Sequence, residues 1–410
     1  MVKFVEFLIL IAIMLSSFGS VLSYHPPLGV GKDIVNFILL FISLFLFVNK
    51  DYRYNKVSIM FFSFFMLYYF IHIAAFTSLE NIVDGLRFHI IYIVTYVIIG
   101  LRLNLTYGDS FFRIARAMFY SGTIVALIGL YEFFDPTILK LMYGVAQEDI
   151  PNIKLPLGYR LISTMLNPIN LGAYLCFVLV FGYLLYRKSL LTGWAFYGIG
   201  LISLGVNFLT LSRLAFLAMV LIWGAILYFE FKRSIKFKLF LSPIVFLVIV
   251  YFSLVVLPSV DVKIIARMFS AFDSNTLSEN SRLDNWALSL SYMDDFLKVL
   301  WGLGLGVVRA GGDQDTLLAE NTFLGIFIEF GLIGFLIYLI FIMKIYYYNL
   351  KLKKVDLVLY QFNLLFFSAF FVLSLGNDMY TNYPFVLFFW VVSSYLISFG
   401  CKMNNRGGTH

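Results

Sequence analysis

The chain is poor in charge. Of its 410 residues, 13% are Asp, Glu, Lys or Arg, about half the share found in soluble domains. Cysteine is nearly absent: Cys176 and Cys401 are the only two, which excludes a disulfide framework and a thiolate metal centre. The four histidines, His25, His72, His89 and His410, have no metal-ligand spacing. No phosphate-cradling Walker loop and no dinucleotide fingerprint occurs. Nothing therefore suggests ATP or a nucleotide-activated donor, and neither a metal nor another cofactor is expected.

What the chain has instead is apolar length. It is 61% hydrophobic and 19% aromatic, with a mean hydropathy of +0.90. A bilayer-crossing helix needs about 20 mostly apolar residues. Candidate spans are Phe4–Leu22, Ile34–Val48, Val57–Phe76, Phe88–Leu101, Ala117–Phe134, Ile169–Tyr186, Leu190–Leu209, Leu214–Phe231, Leu239–Leu257, Phe323–Tyr346, Leu357–Leu375 and Phe385–Phe399. The expected fold is all-α: a polytopic integral membrane protein of about twelve transmembrane helices in a single transmembrane domain over 1–410. The runs at 34–48 and 88–101 are short for a span and require tilt or extension into their flanks. Lys3, the apolar run and small residues near Ser20 fit a cleaved signal peptide only loosely, so this run is read as the first span.

Lys and Arg set the orientation, because cytoplasmic loops retain them. With both termini cytoplasmic, the inner segments hold 19 of the 30 basic residues and five of the 23 acids. The reverse orientation breaks the rule at every crossing. The net charge of +7 is thus a membrane-topology signal, and no nucleic-acid partner is inferred.

Two outer loops are long, Asp135 to about Pro168 and Pro258 to about Asn321, and long loops of this kind tend to be functional. The first ends in Tyr159-Arg160 and in Asn167-Pro168-Ile169-Asn170. Arg160 and Asn167 read either as site groups or as a snorkelling arginine and a helix start. Leu211-Ser212-Arg213-Leu214 divides an apolar stretch about twice a span long, so Arg213 marks a hairpin tip. It is either a turn marker at the headgroup level or an arginine facing protein or water. The second loop carries Arg267, then Arg282, Asp284 and Trp286 on a helix running to about Leu300 that is apolar enough to lie along the membrane surface. Gly302-Leu-Gly-Leu-Gly306 follows, a spacing that permits a tight turn with anion-facing amides. Glu320 and Asn321 stand at the mouth of the next span, where an acid or Asn is also an ordinary cap. Glu329 lies about two turns deeper, and Gly325, Gly331 and Gly334 read as helix-packing residues. The loop Gly376–Pro384 is polar and aromatic, which suits sugar contacts or an interfacial belt.

In their order, Tyr159-Arg160 with Asn167-Pro-Ile-Asn170, Thr210-Leu-Ser-Arg213, Ser281-Arg-Leu-Asp-Asn-Trp286, Gly302–Gly306 and Glu320-Asn321 resemble the O-antigen polymerase and ligase superfamily, the Wzy-type polymerases and O-antigen ligases. The resemblance covers about residues 155–345. It implies a metal-independent membrane glycosyltransferase of the bacterial plasma (inner) membrane, working on its external, periplasmic face. The substrate would be oligosaccharide repeat units on undecaprenyl diphosphate, and the product O-antigen or capsule. A chain-length regulator and a flippase would be its protein partners, and membrane lipids its surroundings. The implied catalytic residues are Arg160, Arg213 and Arg282, which stabilise the diphosphate, and Glu320, which takes the acceptor proton. The implied substrate-binding residues are Arg267, Tyr159, Asn167, Asn170, Asp284, Trp286 and Asn321. Ligases of the family use a histidine in the second long loop or at the entrance to the next helix. Here Glu320 stands in that place and no histidine lies in either loop, which favours a polymerase over a ligase that transfers glycan to lipid A core. A lipid-linked-oligosaccharide flippase or transporter also fits twelve helices, but the charges crowd the outer segments and no internal repeat is evident.

Overall fold

In the computed structural model, residues 1–25, 30–48, 63, 66–70, 79–103, 105–144, 154–155, 158–233, 281–308 and 320–406 are described. Helices dominate them: α1 (Val2–Ser16), α2 (Gly31–Val48), α3 (Ile91–Arg102), α4 (Asp109–Phe134), α5 (Thr137–Tyr143), α6 (Pro168–Arg187), α7 (Gly193–Leu209), α8 (Arg213–Arg233), α9 (Ser281–Ser291), α10 (Phe296–Trp301), α11 (Thr322–Leu352), α12 (Leu357–Ser374) and α13 (Phe385–Arg406). The strands among the described residues are one two-residue antiparallel pair, β1 (Lys154–Leu155) with β2 (Gly158–Tyr159).

Seven of these helices are long and apolar enough to cross a membrane by length and composition, and α3 and α7 are shorter apolar helices. The expected spans inside the described residues are largely helical, with 190–192 lying in non-helical backbone ahead of α7. Of the span expected at 57–76, only 63 and 66–70 are described; the span at 239–257 lies outside the described residues. The first expected span is α1 followed, after a turn, by a short helix Gly19–Ser23. The short run at 88–101 lengthens backwards through a π-helical turn, Leu86–Ile90, into the helix Leu79–Gly85.

The chain divides into two compact units, Met1–Ser121 with Ser281–His410, and Gly122–Asn280. In the second, α6 is central and almost wholly buried. Its neighbours approach closely because the contact positions are small, the usual solution where lipid removes any hydrophobic preference between helices. A side chain at Gly122 would collide with Val178 of α6, and one at Gly172 would sit 2.7 Å from Ala215 of α8. At the far end of the unit, Arg187 of α6 donates to Glu230 of α8 (3.0 Å) and to the Tyr183 hydroxyl (2.6 Å). Removing one partner of a buried pair like this leaves an uncompensated charge and costs about 3–5 kcal/mol.

In the other unit, α3 and α13 form the core pair. Gly100 lets α3 rest on the backbone of α13, with its missing Cβ 2.6 Å from the Ser394 carbonyl oxygen. Asp356 caps α12 by accepting from the Val358 and Leu359 amides at 3.0 and 3.1 Å.

Candidate functional site

In the Gly122–Asn280 unit, the sequence-predicted residues that are described gather at one end of the helices; Arg267 lies outside the described residues. Asn167 has extended backbone and accepts from the Ile169 amide at 2.8 Å; with Pro168 in the first helical position it forms the start of α6. Asn170 lies in the first turn of that helix, partly buried. Tyr159 is 42% exposed on β2. Arg160 is buried, and its Nε donates to the Thr210 carbonyl at 2.8 Å. That carbonyl belongs to the turn between α7 and α8, where Leu211 is held at φ +52° and Arg213 opens α8. A second tie, from the Leu161 amide to the Leu209 carbonyl (3.3 Å), runs alongside. Arg160, the 210–213 tip and the α6 entrance are therefore one assembly. Arg213 is only partly buried, as expected of a guanidinium at a tight hairpin tip.

Three residues hold this end together that the sequence reading passed over. Asn207, fully buried on α7, donates to the Gly172 carbonyl of α6 at 2.8 Å. Tyr143 of α5 donates its hydroxyl to the Ser163 carbonyl (2.8 Å) and accepts from the Leu166 amide (3.2 Å). Glu132, 1% exposed in the last turn of α4, accepts from the Ile162 amide at 3.1 and 3.2 Å and from the Ser163 amide at 2.7 Å. In the sequence Glu132 is an acid closing an apolar run, and its partners lie about thirty residues away, so only spacing across the fold exposes its role.

In the other unit, the helix expected to run from Arg282 to about Leu300 is broken in two. α9 ends at Ser291 and α10 begins at Phe296, with Asp295 in extended backbone ahead of it. Adjacent Asp294 and Asp295 suit a break better than a helix interior, and Asp294 instead receives Lys298 at 2.6 Å. Arg282 lies in the first turn of α9, but its side chain is outside the described residues. Asp284 is exposed and Trp286 half-buried. Leu288, Leu290, Phe296 and Leu297 are exposed, the pattern a surface-lying segment needs.

The glycine repeat docks on a kink in α11. At Gly331 (φ +63°, ψ −170°) the helix is interrupted, and the Ile328 and Glu329 carbonyls accept instead from the amides of Leu303 (2.8 Å) and Gly304 (3.1 Å). The Glu329 side chain, 2% exposed, accepts from the Gly306 and Val308 amides at 2.9 and 3.3 Å. Of the repeat's amides, that of Gly306 faces the chain's own Glu329 carboxyl, and those of Leu303 and Gly304 face backbone carbonyls. Gly302 and Gly306 need their φ of +86° and +80°, and a side chain on either would strike backbone, at Glu329 and Asn81 respectively.

Ahead of the kink, Asn321 caps α11, accepting from Phe323 (2.9 Å) and Leu324 (3.1 Å) and donating to the Leu375 carbonyl at 3.2 Å. Thr322 joins the same loop, donating to the Asn377 carbonyl and accepting from the Met379 amide. Glu320, directly before the cap, is partly buried at φ +41°. Within Gly376–Pro384, Asp378 is buried; it accepts from the Tyr380 and Thr381 amides and from the Thr381 hydroxyl. Burial pushes its carboxyl above the usual carboxylate range, and the Thr381 hydrogen bonds oppose that shift. Among the described residues no group of His, Cys, Asp and Glu is placed to hold a metal ion.

Seven helices long and apolar enough to cross a bilayer define the class, a polytopic integral membrane protein. Residues 198–339 match the family described as O-Antigen ligase. The matched segment contains Arg213, Arg267, Arg282 and Glu320, and it supports the O-antigen polymerase and ligase superfamily, whose members are membrane glycosyltransferase-like enzymes acting on lipid-linked glycan. No curated protein matches the chain.

Proposed function

We propose that this protein is a polysaccharide polymerase that joins undecaprenyl-diphosphate-linked oligosaccharide repeat units on the outer face of the bacterial plasma membrane. The observation that carries the reading is the Arg160–Thr210 tie, which puts two arginines of the motif series at one end of one unit. An acceptor sugar hydroxyl attacks the anomeric carbon of the donor glycan. The new glycosidic bond forms as the carbon–oxygen bond to the lipid diphosphate breaks, and the lipid diphosphate leaves. Its developing charge calls for planar, bidentate cations, which arginine supplies better than lysine. Arg160 and Arg213 fill that role, with Arg282 and Arg267 as further cations. Glu320 takes the hydroxyl proton. Tyr159, Asp284 and Trp286 offer stacking and hydrogen-bonding surface to sugar. The side-chain oxygens of Asn167 and Asn321 are engaged in capping, so these two residues act by placing their helices. Activation resides in the sugar–diphosphate bond, which agrees with a sequence lacking nucleotide-binding motifs.

A second reading is the O-antigen ligase, from which the family match does not separate a polymerase. The absence of a histidine from either long loop weighs toward the polymerase. Gene deletion separates the two: loss of a polymerase leaves single repeats capped onto the surface lipid, whereas loss of a ligase removes all capped glycan. Long chains surviving the deletion would sink both. With purified protein and lipid-linked repeat units, glycan ladders should form without nucleotides. Arg213→Ala and Arg282→Ala should lower polymer formation at least about a hundredfold, and the Lys variants should recover little of it.

A further inference from the structure

The geometry points to Glu132 as a positioning residue for Arg160, a role that rests on the diphosphate-binding reading of Arg160. The segment that carries the arginine is irregular, and two of its non-glycine residues, Ser163 (φ +47°) and Leu166 (φ +58°), have left-handed backbone. Residues with a Cβ avoid that conformation unless their surroundings impose it. Two side chains impose it here. Tyr143 holds Ser163 and Leu166 from one helix, and Glu132 holds Ile162 and Ser163 from another.

Glu132 is the unusual member of the pair. A carboxylate this deeply buried is costly unless charge-assisted hydrogen bonds compensate it, and among the described residues its partners are these two adjacent backbone amides. Both oxygens are used, so the carboxylate grips successive peptide units and fixes the direction in which the chain leaves Arg160, two residues earlier. From there the Arg160 Nε reaches the Thr210 carbonyl, three residues before Arg213. The sequence of contacts is continuous: α4 carboxylate, 162–163 backbone, Arg160 guanidinium, hairpin tip. Releasing the first link leaves Tyr143 as the one side chain holding the turn after Arg160 and loosens the arginine's direction, while Arg213, at the head of its own helix, keeps its place.

The test is binding of farnesyl diphosphate, a short polyprenyl diphosphate, to the purified full-length protein in detergent, with thermal melting as the check on folding. Arg160→Ala and Arg213→Ala should each weaken binding about tenfold, the scale of a hydrogen bond to a charged group. Glu132→Ala should match Arg160→Ala. The Glu132→Ala/Arg160→Ala double variant should bind no more weakly than Arg160→Ala alone, whereas Glu132→Ala combined with Arg213→Ala should multiply the two losses. Such coupling to one arginine and not the other is not expected from general loosening of the fold. If Glu132→Ala does not fold, Glu132→Gln decides. It keeps one acceptor and sets an NH₂ against the Ile162 amide, so it should give a partial loss with the same coupling. Unchanged binding in the Glu132 variants, or losses that multiply with Arg160→Ala, overturns the positioning role and leaves the diphosphate reading intact. No binding by the wild type, or unchanged binding in both arginine variants, overturns the diphosphate reading and the positioning role together.

Discussion

Glu132, Glu329 and Asp378 are buried carboxylates that accept from backbone amides. Each uses its carboxyl oxygens to pin a stretch of chain outside the long helices: the 160–166 segment, the glycine repeat and the loop before α13. The arginines were legible at this scale, because an Arg inside or beside an apolar run is costly enough to need a reason. The role of Glu132 was not, because an acid at the end of a span reads as an ordinary boundary residue. Asp378, in a loop, also carries a pH dependence. Its carboxyl titrates higher in the folded protein than in the unfolded chain, so the folded state holds the proton more tightly. Its contribution to stability is present below the unfolded carboxylate pKa of about 3.9 and is lost as pH rises through the folded value. Melting temperatures of wild type and Asp378→Asn should therefore diverge with pH, the wild type losing ground to the variant as pH climbs from about 4. A constant difference would remove Asp378 as the source.

At the scale of elements, the contact between the glycine repeat and the kinked α11 is the most demanding. Gly302 and Gly331 both have positive φ, and each lies against the other's backbone. The repeat could be read in the sequence as a turn with amides facing an anion. That the group facing them would be the Glu329 carboxyl, and that Gly331 would break a helix it was expected to pack, depended on two segments nearly thirty residues apart meeting. Gly302→Ala and Gly331→Ala should each destabilise the protein by about 1–3 kcal/mol, the range for a strained backbone conformation, measured by thermal unfolding in detergent. Gly198→Ala, within α7 and with open space where its Cβ would lie, should be neutral or mildly stabilising. Equal effects at all three positions would mean that the kink does not depend on glycine. The Asn167 and Asn321 caps were readable as such, because a cap is a local motif whose hydrogen bonds span two or three residues.

For the whole molecule, the lysine and arginine distribution predicts that both termini and the basic segments face the cytoplasm. Single cysteines placed in a background lacking Cys176 and Cys401 give the test. Asp135→Cys and Asp294→Cys should react with a membrane-impermeant maleimide in intact cells, and Lys188→Cys and Lys354→Cys only after permeabilisation. The opposite pattern would reverse the orientation and remove the proposed donor from the face where the arginines lie.

The sequence by itself determined the class of molecule, because a bilayer admits few ways to satisfy a backbone. Long apolar runs must be helices, their charges must gather at the ends, and caps and hairpin tips are written in a few adjacent residues. Tertiary structure alone decided which side chain holds which loop. Glu132 grips the backbone beside Arg160 from another helix, and Glu329 fills the turn of the glycine repeat. The physical reason is the range of the interactions. Hydropathy and capping act within a turn or a span, whereas a buried carboxylate is paired by whatever amides the fold brings to it from far along the chain.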